Sequence, residues 1–148
     1  GHKFKINMVQ ENNNYCLCSI LSDIFLDYNI KISQDEIAKN LTPTPKGFRA
    51  DDNKIKEFLK DKGFNYEFYW WNQTPFHEPD SLLKEISENQ GFIGIEDHLY
   101  RVLEFEDPMI VVLDPANVNE APRDFDYSYL MHKLREVNGG FGLIKHIH

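Results

Sequence analysis

The stretch ENNNYCLCSILSDIFLDY, residues 11–28, decides the fold. Its first four residues are polar and turn-prone, and Asn side chains cap helices by accepting free backbone N–H groups. From Cys16 onward, Leu17, Ile20, Leu21, Ile24, Phe25 and Tyr28 recur at spacings of three and four. That period places them on one broad face of an α-helix. Cys16 therefore opens the helix, where unpaired N–H groups and the partial positive charge of a helix end favour a thiolate. A cysteine at such a place also serves as a small buried hydrophobe, so the spacing alone does not assign it chemistry. Cys18 is about 200° further round the axis and is expected to point into the packing.

Working outward, Ser33 and Glu36 form a capping box that opens a short helix through Ile37 and Leu41, closed ahead of Pro43 and Pro45. Residues 42–50 read as a loop. Residues 52–62 read as a third helix with Ile55, Phe58 and Leu59 inward and Gly63 as its stop. The period then changes: Phe64, Tyr66, Phe68 and Trp70 alternate with more polar neighbours, as in a half-buried strand. After a loop over 72–79, Asp80 is expected to cap a helix that carries Leu82, Leu83 and Ile86 and ends at Gly91. Residues 92–96, 99–105 and 109–113 read as strands, the last two joined by a turn at Glu106-Asp107-Pro108. Residues 116–126 read as a polar loop, 127–137 as a helix ended by Asn138-Gly139-Gly140, and 141–147 as a terminal strand. Helices first, then an antiparallel sheet with one late helix, predict an α+β fold and not a doubly wound parallel sheet.

With 148 residues, 41% of them hydrophobic, the chain suits one domain over residues 1–148, burying about two thirds of its unfolded surface. Sixteen basic residues against twenty-four acidic ones give a net charge of −8 with no basic block. That balance argues against nucleic acid and anionic membrane as partners. Two cysteines one residue apart make neither a disulfide scaffold nor a zinc site, and His132, His146 and His148 are scattered, so no metal and no cofactor is expected. No apolar stretch approaches a membrane span, and residues 1–10 lack the apolar core of a signal peptide. Gly1-His2 reads as the remnant of a cleaved tag. The chain is expected to be a soluble cytoplasmic protein or a domain cut from a longer one, with its oligomeric state undefined.

His98 begins one predicted strand and Asp114 follows the end of its antiparallel neighbour. A hairpin brings two such positions side by side, so an imidazole and a carboxylate are expected in contact. Each alone has a plainer use, His98 in a turn and Asp114 before Pro115 as a strand terminator. Together with a cysteine at a helix end they form a nucleophile, a base and a group that orients the base.

Gln10 lies six residues before Cys16, the glutamine-to-cysteine spacing of papain-like cysteine peptidases. Residues 10–28 and 98–115 resemble the two catalytic segments of the bacteriocin-processing, double-glycine-leader peptidases within that group. The run Ile32-Ser33-Gln34-Asp35-Glu36-Ile37 resembles the short helix that follows in that family, and Asp114-Pro115 stands sixteen residues after His98 as its Asp-Pro does. The chain departs at Tyr15 and Leu17, where the family usually has Asp and Gly. The resemblance implies a papain-like fold, Cys16 as nucleophile, His98 as base, Asp114 as orienter, the Gln10 side chain in the oxyanion hole, and a peptide or protein substrate. The same residues also suit an acyltransferase that passes the acyl group to an amine, or a domain that binds peptide without cutting it. The aromatic run Tyr69-Trp70-Trp71 reads as core or sheet-edge packing or as a substrate shelf, and Gly139-Gly140 as a helix stop.

Overall fold

The computed structural model describes residues 15–42, 51–73, 78–96, 98–106, 108–115 and 123–147, with the side chains of 123–125 left aside. Gln10 lies outside the described residues, as do Asn14 and most of the loop expected over 42–50.

The first helix, α1 (Cys16–Leu26), begins at the expected residue, with Tyr15 as N-cap and no side-chain hydrogen bond at that cap. Its burial exceeds what an apolar stripe predicts: every residue from Cys16 to Phe25 is buried, including Ser19, Ser22 and Asp23. A helix covered on all sides must find partners for its polar groups. Ser22 Oγ donates to the Ile32 carbonyl at 2.9 Å, and Asp23 meets Arg101.

Helix α2 (Gln34–Leu41) starts as the capping box predicts, the Glu36 N–H donating to Ser33 Oγ at 3.1 Å. In α3 (Asp52–Asp61), Asp51 accepts from the Asn53 and Lys54 N–H groups, and the chain leaves through Gly63 at φ +95°, a backbone conformation that glycine adopts without strain. Strand β1 (Phe64–Trp70) follows, then a single 3-10 turn, Trp71–Gln73, in what reads from sequence as loop. Helix α4 (Pro79–Glu88) begins two residues earlier than expected. Glu78 is its N-cap, Pro79 takes the first helical position that suits a residue without an N–H, and Asp80 lies in the first turn.

The strands are β2 (Gln90–Ile95), β3 (His98–Glu106), β4 (Met109–Leu113), β5 (Arg123–Asp126) and, after α5 (Tyr127–Glu136), β6 (Gly140–His146). They form one antiparallel sheet in the order β1-β6-β2-β3-β4-β5. One expectation needs correction. The segment over 116–126 is not all loop, because its end pairs as β5 with β4, a short polar edge strand with no apolar alternation to announce it. The last strand, expected over 141–147, inserts between β1 and β2, a placement set by long-range pairing.

The sheet carries helices on both faces. Helices α1, α2 and α3 pack with Phe64, Tyr66, Phe92, Leu99 and Ile144, while α4 and α5 pack with Ile93, Val102, Ile110, Val112, Phe141 and Leu143. The neighbours Phe92 and Ile93, like Leu143 and Ile144, fall into opposite clusters, as the two-residue period of a strand requires. Gly139-Gly140 is buried where α5 gives way to β6. The Gly139 N–H closes the helix on the Leu134 carbonyl at 2.7 Å, with Asn138 at φ 48° in the left-handed position.

Candidate active site

Two elements meet at the end of the sheet where β3 begins. There α1 starts with Cys16, and β3 starts with His98. The thiol is 2% exposed and lies against the Leu99 backbone N–H, one residue past the histidine. Burial pushes its pKa above the ordinary value of 9.0. The Leu99, Leu17 and Cys16 N–H groups pull it down, and the Asp114 carboxylate adds to the rise. The helix-end effect expected from sequence is therefore present, since two of those N–H groups belong to the uncapped start of α1. Desolvation outweighs it, because a thiolate loses more than a thiol on leaving water.

His98 Nε2 donates to Asp114 Oδ1 at 2.5 Å. A carboxylate only accepts, so the proton sits on Nε2, and in the neutral ring the Nδ1 lone pair is left to act as a base. The ring is held further by Tyr100, edge-on at 4.8 Å and 86°. A cleft of 370 Å³ opens beside it, lined among others by Ile95, Tyr100, Tyr129, Leu130 and Lys133.

The histidine–aspartate contact depends on an irregularity that the hairpin reading did not include. From the turn, Glu106 pairs with Met109, Phe105 with Ile110 and Glu104 with Val111, but then Val102 pairs with Val112 and Arg101 with Leu113. Leu103 is thus an extra residue, a β-bulge. If β3 kept the register of the turn straight through Leu103, Asp114 would fall opposite Arg101, on the α1 face. With the bulge Asp114 falls opposite Tyr100, on the face His98 occupies and one diagonal step away. Val102 and Phe105 confirm the shift: three residues apart, they pack into the same cluster.

The remaining expectations resolve simply. Cys18 is fully buried among apolar side chains and its thiol is pushed up to about 12, chiefly by burial. Leu17, which stands where the resembled family usually has Gly, is 1% exposed and packs into the core. Tyr15 hydrogen-bonds Asp35 of α2 at 2.8 Å, tying the residue before the thiol to the second helix. Trp71 stacks on Phe141 and Trp70 packs edge-on to Phe68, so the aromatic run supports the sheet. His132 pairs with Glu136 on the surface, and His146 stacks on Tyr28. Sequence reading missed Arg101, which joins Asp23, Asp27 and Gln90 between α1 and the sheet. The available signal was a lone cation in the middle of an apolar strand.

The fold is one the chain shares with solved peptidase domains at low sequence identity. The chain superposes on the peptidase domain of Streptococcus ComA, a bi-functional ABC transporter involved in quorum sensing, with a TM-score of 0.67 and 15% identity over 93% of this chain and 96% of that one. It also superposes on a double-glycine motif protease from an AMS/PCAT transporter, solved with the leader peptide, with a TM-score of 0.70 and 14% identity over 94% and 89% of the two chains. The Streptococcus mutans ComA peptidase domain, solved with a small-molecule inhibitor, gives 0.52 and 12% over 95% and 98%. No family model and no curated protein matches the chain. Among the described residues, no helix is long and apolar enough to cross a membrane.

Proposed function

We propose that the chain is a cysteine peptidase in which Cys16, His98, Asp114 and Gln10 act together on a peptide bond. His98 Nδ1 takes the thiol proton as Cys16 Sγ attacks the carbonyl carbon. The oxyanion accepts from the Cys16 backbone N–H and the Gln10 side-chain amide. The imidazolium returns its proton to the departing amine, leaving a thioester. Water then gives His98 a proton and attacks the thioester, releasing the acid and restoring the thiol. Asp114 holds the ring in the tautomer that makes Nδ1 the base throughout.

The observation that carries this reading is the 2.5 Å contact from His98 Nε2 to Asp114, with the thiol of Cys16 beside the adjacent N–H of Leu99. A peptide substrate is supported by the relative solved with a leader peptide. One observation favours a second reading, a domain that binds peptide without cutting it: burial raises the Cys16 pKa, which opposes a free thiolate. Digestion of a peptide library by the wild type and Cys16→Ala separates the two. Products are expected only from the wild type, and identical profiles leave the binding domain as the better account.

A further inference from the structure

We propose that Arg101 is a positioning residue for the nucleophile: its ion pairs with Asp23 and Asp27 set where α1 sits along β3, and hence where Cys16 lies relative to His98. The inference rests on the peptidase reading above and adds to that site a part outside the four residues assigned to it.

Arg101 is 6% exposed in the middle of the sheet. Its Nη1 donates to Asp23 Oδ2, and its Nη2 donates to Asp27 Oδ2 at 2.6 Å and to Gln90 Oε1 at 2.8 Å. Asp23 follows Cys16 by seven residues, close to two full turns, so the two side chains leave α1 on the same side, about 10.5 Å apart along the axis. Arg101 follows Leu99 by two residues, so both point to the same face of β3, about 6.6 Å apart. The helix thus meets this strand at two fixed places, the thiol on the Leu99 N–H and the Asp23 carboxylate on the Arg101 fork.

A single attachment to β3 leaves a helix free to slide or pivot along that strand, since the hydrogen bonds of Tyr15 and Ser22 go to Asp35 and Ile32, outside the sheet, and the apolar contacts of α1 are non-directional. The guanidinium fork is directional: a shift of α1 along β3 by a fraction of a residue breaks its pairing with Asp23. Stability alone does not explain the arrangement. Buried ion pairs are often matched by well-packed apolar residues, and among the described residues Arg101 Nε has no hydrogen-bond partner. What an apolar trio lacks is a defined register, and the base that must meet the thiol stands on the same strand, three residues from Arg101.

The test compares Arg101→Met, Arg101→Lys and the wild type by peptide hydrolysis, by thermal unfolding, and by the NMR shift of the Leu99 amide before and after alkylation of Cys16. In Arg101→Met, kcat is expected to fall about 100-fold with KM nearly unchanged, the effect of a small misplacement of a reacting group. The Leu99 amide is expected to lose its response to alkylation. Arg101→Lys, which keeps the charge but not the fork, is expected to recover part of both, and it decides the matter if Arg101→Met does not fold. Folded variants with the wild-type kcat and an unchanged Leu99 response overturn the proposal. A wild type that cuts no peptide overturns the peptidase reading instead, and Arg101's catalytic relevance with it.

Discussion

Replacing His98 by Ala isolates the step on which the proposed chemistry turns, because burial works against the Cys16 thiolate. A thiol with a pKa above 9.0 is at most about 0.3% ionised at pH 6.5. If His98 takes its proton and the ion pair is even half populated, the thiolate is about 100-fold more abundant than that. The assay is alkylation of the folded protein by iodoacetamide, read at Cys16 by mass spectrometry from pH 5.5 to 10. Wild type is expected to react about 100 times faster than His98→Ala at pH 6.5. The two rates should converge as pH rises past 9, where the isolated thiol loses its proton unaided. Cys18 supplies an internal standard: its thiol is pushed up to about 12 and fully buried, so it should stay unlabelled throughout. Superimposable pH profiles for the wild type and His98→Ala would refute an imidazole acting on the thiol.

Asp114→Asn keeps an oxygen that can accept from His98 Nε2, so its turnover is expected to lie between those of the wild type and His98→Ala in the same hydrolysis assay. In a His98→Ala background the same change removes a charge that raises the Cys16 pKa, so alkylation should begin at lower pH; a shift to higher pH contradicts the electrostatics. Gly142→Ala would place a Cβ 2.3 Å from Phe92 Cζ. The ring or strand must move, at about 1–3 kcal/mol, and an unchanged urea midpoint would show that space to be slack. Ser33→Ala removes the acceptor for the Glu36 N–H and should lower stability by about 1 kcal/mol in the same titration.

The parts of the molecule legible in the sequence are those whose causes are local. Helix α1 from Cys16, the capping box at Ser33, the stop at Gly63 and the alternation from Phe64 to Trp70 stand where period and cap chemistry put them. Strand β5 was illegible because Arg123–Asp126 is short and polar and is held by pairing with β4. The central place of β6 follows from contacts with β1 and β2, strands separated from it by 44 residues or more of chain. At the site, His98 and Asp114 were legible as hairpin neighbours, but the reason they share a face was not, because nothing in Val102-Leu103-Glu104 marks a bulge. The thiol's raised pKa was also hidden, since the helix end is visible in the sequence and the depth of its burial is not.

Leu103 gives the β3–β4 hairpin unequal arms. Counted from the turn, β3 holds one residue more than β4 before the positions that carry His98 and Asp114, and the bulge takes up that residue. Removing Leu103 alone would pair β3 and β4 without a break and leave Asp114 opposite Tyr100, still on the face of the imidazole. Removing a cross-strand pair together, such as Phe105 and Ile110, shortens the hairpin but leaves the bulge and the face of Asp114 unchanged. The hairpin is therefore compatible with the site after the loss of a cross-strand pair and also after the loss of the one residue that β3 carries in excess. A single-codon deletion at Leu103 is expected to straighten the strand and leave the histidine–aspartate contact in place.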